Sequence, residues 1–151
     1  VATRSKRPID KDLIGVILTN VGTTQRTTVL KTATFPCTLT GLRWSFTFVS
    51  PLTTDHVQGM WVIMVLPDGE AINTIALSDG ATIIAPEQQV MAFGSVVAAD
   101  ADLQGPVVQV IEGSTKTMRK LRVGDVLQFG IICTAGTAGR IRGAIQFFCK
   151  T

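Results

Sequence analysis

Along this chain apolar and polar residues alternate far more often than apolar residues recur with a helical period. In RIRGAIQFFCKT, Ile141, Ile145, Phe147 and Cys149 occupy one parity. Arg140, Arg142, Gln146 and Lys150 occupy the other, with Phe148 as the exception. Successive side chains of a strand point to opposite faces, so this pattern predicts one packed face and one basic face. CTLTGLRWSFTFV behaves alike, setting Trp44, Phe46 and Phe48 against Arg43, Ser45 and Thr47. DVLQFGIIC puts Leu127, Phe129, Ile131 and Cys133 on one side. QGMWVIMVL is apolar in both parities, which predicts a central strand covered on each face.

RTTVLKTATF, VMAFGSVVA, PVVQVIE and TKTMRKLRV read as four further strands. The count is eight, or nine if LIGVILTNV also pairs. Gly124-Asp125 predicts a tight turn. PDGEAINTIALSDGATIIAPEQQ, with turn signals at Asp68-Gly69, Asp79-Gly80 and Pro86, reads as a long excursion between strands. No internal repeat is visible. The expected fold is all-β, a single eight-stranded antiparallel jelly-roll sandwich. Residues 1–12 form a basic leader that opens on Val rather than Met, and they read as the end of a longer arm. Residues 13–151 are the expected sandwich domain.

Composition sharpens this picture in one respect. At 151 residues the chain suits one domain, yet it is 46% hydrophobic and only 17% charged. Two destinations for the surplus apolar surface stay open: contacts between subunits, and strands buried on both faces. No apolar run approaches the roughly 20 residues of a membrane-spanning helix, and no membrane partner is expected. Cys37, Cys133 and Cys149 each sit in strand-like sequence without a CxxC pair, and read as buried free thiols.

The charge pattern says more than the net value of +3. Between Arg43 and Lys116 lie 72 residues without one Lys or Arg, and they hold eight of the eleven acids. In a jelly roll the first and last strands are neighbours, so the two ends of the chain converge. Arg4, Lys6, Arg7, Lys11, Arg26 and Lys31 would then gather beside Lys116, Arg119, Lys120, Arg122, Arg140, Arg142 and Lys150. A one-sided basic face is the footprint of phosphate-backbone binding. The competing reading is solvated charge scattered around a sandwich.

Three segments carry a family resemblance: TTVLKTATFPCTLTGLRWSF, GSTKTMRKLRVGD and GAIQFFCKT. Together they resemble the capsid proteins of small circular single-stranded DNA viruses that encode a replication initiator. Within that group the chain is similar to the short coat proteins of the satellite tobacco necrosis virus type. The resemblance runs from about Gln25 to Thr151. It implies a single jelly roll that self-assembles into an icosahedral shell of about 60 copies, the simplest closed form. It also implies a virion location, with assembly in the host nucleus, and a packaged genome of single-stranded DNA. Arg4, Lys6, Arg7 and Lys11 would be the tail end of an internal basic arm, although arms of the family are richer in Arg and Lys. With Lys116, Arg119, Lys120, Arg122, Arg140, Arg142 and Lys150 they form the expected nucleic-acid-binding set.

Enzyme chemistry is not expected. The single histidine, His56, follows Asp55 in a segment that reads as a loop, and no nucleophile–base–acid set can be assembled around it. One His and three dispersed Cys offer no zinc spacing, and no phosphate-loop motif occurs. Asp68-Gly69-Glu70 and Asp79-Gly80 read as turns, with calcium held between neighbouring subunits as the alternative. No cofactor or metal is therefore expected. The rival function from another class is a cellular jelly-roll binding module, either a trimeric ligand or a carbohydrate-binding domain. Such a module has no need of basic residues at both ends.

Overall fold

The computed structural model describes residues 10–21, 25–50, 57–70, 89–98, 107–133 and 139–150. Eight strands account for most of them: β1 (Asp10–Val21), β2 (Arg26–Thr32), β3 (Cys37–Ser50), β4 (Val57–Leu66), β5 (Gln89–Ala98), β6 (Val107–Leu121), β7 (Val126–Cys133) and β8 (Gly139–Lys150). They form two four-stranded sheets, ordered β1-β8-β3-β6 and β2-β7-β4-β5, with every pairing antiparallel. This is the jelly roll that the alternation predicts. The last strand lies between the first and the third.

The two inner faces supply one core. From the first sheet come Ile17, Leu39, Leu42, Phe46, Phe48, Ile141, Ile145, Phe147 and Cys149; from the second come Trp61, Ile63, Val65, Leu127, Phe129, Ile131 and Cys133. An aromatic group ties the layers together at its centre. Phe46 of β3 meets Trp61 of β4 edge-on at 5.3 Å between ring centroids and Phe129 of β7 at 5.3 Å. Trp44 approaches Trp61 at 5.5 Å. Each such pair adds about 0.5–1.5 kcal/mol beyond area burial, and here three of them span the gap between sheets.

β4 is central and buried on both faces, as its apolar parities require. Trp61, Ile63 and Val65 point into the main core, while Val62, Met64 and Leu66 form a second buried cluster with Met60, Val90 and Ile132. At least part of the apolar surplus is thereby spent inside the chain.

Two expected strands, PVVQVIE and TKTMRKLRV, are one 15-residue strand, β6, and LIGVILTNV does pair, within β1. The total is therefore eight. Gly113 and Ser114 look like a break in the sequence, but Gly113 serves packing. A Cβ there would collide with the Trp44 indole, its Cε2 only 2.7 Å away. The predicted turn at Gly124-Asp125 is present. Gly124 has φ +95, a conformation that glycine adopts without steric cost, and the Asp125 N–H donates to Arg122 O at 3.1 Å.

The three cysteines are free and buried. Burial pushes the Cys133 thiol up to about 12. Cys149 is also raised to about 12, by burial first and then by the charge and hydrogen bond of neighbouring Cys37. Among the described residues, no helix is long and apolar enough to cross a membrane.

Candidate nucleic-acid interface

The outer face of the first sheet is built by the parities that alternate with the core. The ladders align it in rows across β8, β3 and β6: Arg140–Val49–Val108, Arg142–Thr47–Val110, Ala144–Ser45–Glu112, Gln146–Arg43–Ser114, Phe148–Gly41–Lys116 and Lys150–Thr38–Lys120. A bulge between Leu39 and Gly41 in β3 keeps Thr38 in step with both neighbours. Residues directly opposite one another share a face, so six cations share this one: Arg43, Lys116, Lys120, Arg140, Arg142 and Lys150, all exposed.

They form two groups. Arg140 and Arg142 stand at one end of the sheet, and Arg43, Lys116, Lys120 and Lys150 at the other. Between them runs the Ala144–Ser45–Glu112 row. Arg142 and Gln146 are four positions apart along β8, or about 13 Å at strand rise. Glu112 is the one acid on this part of the face among the described side chains, and its Oε1 accepts a hydrogen bond from Ser45 Oγ at 3.4 Å. A shallow cleft of about 480 Å³ opens here, lined by Arg43, Trp44, Ser45, Glu112, Gly113 and Ser114. Across β8, β3 and β6 the surface is open and cationic, while on β1 the ladder sets Asp10 opposite Lys150 and Asp12 opposite Phe148. It suits an extended polyanion better than a small molecule.

The structure sorts the sequence-derived set. Lys116, Lys120, Arg140, Arg142 and Lys150 share the face. Arg119 has the other parity: it pairs with buried Leu39 and is half-buried, and its Nε is buried without a hydrogen-bond partner. Arg122 lies in the β6–β7 turn, where its backbone N–H donates to Asp125 Oδ2 at 2.8 Å. Lys11 belongs to β1, opposite Cys149 in the ladder, because pairing with β8 continues to Asp10 and into the stretch read as arm. Arg4, Lys6 and Arg7 lie outside the described residues, as do Asp55, His56, Asp79 and most of the expected excursion. Arg26 and Lys31 are exposed but sit on β2, in the second sheet, so they do not join the others. Convergence of the chain ends gathers β1 and β8, whereas β2 has already crossed to the opposite layer.

Arg43 completes the face although the charge argument left it out. Its signal was present in β3, where it alternates with Trp44, Phe46 and Phe48. Among the described residues no group of three or more His, Cys, Asp or Glu side chains could hold a metal ion.

No family model matches the chain, and no curated protein does. Among solved structures it aligns with infectious bursal disease virus, Gt strain, at 13% identity and a TM-score of 0.23. It aligns with the Gx strain at 12% identity and a TM-score of 0.22. The alignments cover 96% and 95% of this chain but 42% of each viral chain, so this chain spans less than half their length. At such TM-scores the likeness carries no argument. The sheet order and the outer face carry the functional reading.

Proposed function

We propose that the chain is a viral coat-protein subunit. About 60 copies would self-assemble into the simplest icosahedral shell, with the outer face of the β1-β8-β3-β6 sheet turned towards a single-stranded nucleic acid inside. The observation that carries this reading is the gathering of six exposed cations on one sheet face. Lys and Arg contacts to phosphate give affinity without base preference, which is what packaging requires. Self-association finds support at the edges of the other sheet, where Val29 on β2 and Phe93 on β5 are exposed. Unpartnered apolar positions on edge strands favour contact with another chain. The family resemblance adds the expectation of a single-stranded DNA genome, a virion location and nuclear assembly.

Light scattering and negative-stain microscopy of the purified protein test this directly. With a 16.1 kDa subunit, the expected particle has a mass of about 1 MDa. Protein that stays monomeric at high concentration, with and without nucleic acid, refutes the reading. A discrete trimer that ignores nucleic acid assigns the chain instead to a jelly-roll binding module.

A further inference from the structure

The cationic face carries an aromatic side chain that phosphate binding by its lysines and arginines does not explain. Phe148 alternates with Phe147 and Cys149, which are fully buried in the core, and so lies on the outer side of β8, half-buried. Among the described residues it is the one aromatic in the outward rows of this sheet. Across β8, β3 and β6 its row is Phe148–Gly41–Lys116, and the next row holds Lys150 and Lys120; on the β1 side the ladder sets Asp12 opposite Phe148 and Asp10 opposite Lys150.

The backbone around it is arranged to fit the ring. Thr40, in the β3 bulge, donates from Oγ1 to the Phe148 carbonyl at 3.1 Å, which anchors the strand beside the ring. The neighbouring position is glycine, and the ring's Cδ2 lies 3.6 Å from where a Gly41 Cβ would stand. Gly41 is itself buried beside the ring, and lysines stand in the same and the next row. The cores of protein–protein interfaces are depleted of charge, so a ring set among charged rows, with Lys116 in its row and Lys150 two positions along its strand, suits a polyanion better than the core of a subunit contact.

We propose that Phe148 is a stacking platform for an unpaired base, so that this face selects single-stranded over duplex nucleic acid. The inference rests on the nucleic-acid reading above and deepens it. A base lies against the exposed part of Phe148, while Lys116 and Lys150 take neighbouring phosphates. A paired base is already stacked within its duplex and cannot use the ring. Aromatic stacking is tolerant of sequence, as a packaging surface needs.

The test uses the full-length protein and fluorescence anisotropy at one fixed salt concentration. The probes are a labelled oligothymidine, a hairpin duplex of equal length, and a strand of the same length whose sugars lack bases. Wild-type protein should prefer the oligothymidine to both other probes. Phe148→Leu keeps apolar bulk but loses the π-face, and should weaken oligothymidine binding about 5- to 150-fold while leaving the other two unchanged. Phe148→Trp should retain the preference. Equal binding of the base-free strand and the oligothymidine by wild-type protein overturns the proposal without needing any variant. Unchanged binding together with failed assembly of Phe148→Leu also overturns it, and assigns the ring to a subunit contact. Wild-type protein that binds none of the probes overturns both this inference and the nucleic-acid reading. Binding of all three probes alike, with a strong salt dependence, removes the stacking role alone.

Discussion

Neutralising Arg140, Arg142 and Lys150 together, each to Gln, isolates what the β8 side of the face does. All three are exposed, and the residues that alternate with them, Ile141, Ile145, Phe147 and Cys149, keep the core intact. Stability should therefore stay within about 0.5 kcal/mol of wild type. For single strands, each phosphate contact contributes about 0.7 to the slope of log affinity against log salt. Six cations on the face predict a slope near −4, a loss of roughly 300-fold between 50 and 200 mM salt. With three removed the slope falls to about −2, and the loss over the same range to roughly 20-fold. Cations in residues 1–9 contribute equally to both proteins, so the difference between the two slopes is the quantity to measure. Anisotropy titrations with an oligothymidine at four or five salt concentrations provide it. Identical slopes for wild type and triple variant would show that these side chains meet no phosphate, and the polarity of the sheet would lose its functional meaning.

Two further predictions concern the scaffold. Gly143→Ala sets a Cβ against the Ser45 carbonyl oxygen and 2.7 Å from Phe46 Cα, both of them backbone, so β8 and β3 must part. Overpacking of this kind costs about 1–3 kcal/mol, and the urea midpoint should fall by roughly 0.5–1.5 M; an unchanged midpoint refutes the close approach. Cys133 and Cys149, both raised to about 12, bind protons more tightly folded than unfolded. Their contribution is complete below pH 9 and is lost as the pH climbs from there through 12, so the melting temperature should drop across that window. Replacing both by Ala should flatten the drop, whereas equal slopes in wild type and variant exclude the thiols as its cause.

Strand parity was legible wherever one face was apolar and the other polar. β8 and β3 declared both their faces, and β4 declared its two-sided burial through WVIMVL. What local pattern could not convey was which residue meets which across the fold. Gly113 resembled a turn because its reason for being glycine, the Trp44 ring on the neighbouring strand, lies 69 positions away in the chain. Arg119 sits in a run of basic residues that reads as a single patch, yet β alternation turns it away from Lys116 and Lys120. Proximity in sequence is not proximity on a face. Arg26 and Lys31 carried the opposite lesson. The convergence of the chain ends was sound for β1 and β8, but the assignment of β2 to the other layer depends on topology and not on charge. Phe148 stood out as a violation of alternation, and the meaning of that violation required Gly41 and the lysine rows beside it.

The placement of β8 between β1 and β3 also bears on how the protein is made. Of the eight strands it leaves the ribosome last, and until it inserts β1 has no sheet neighbour and β3 lacks one of its two. Three of the face's six cations, Arg140, Arg142 and Lys150, arrive on that same strand. A nascent chain thus cannot present the finished polycationic surface.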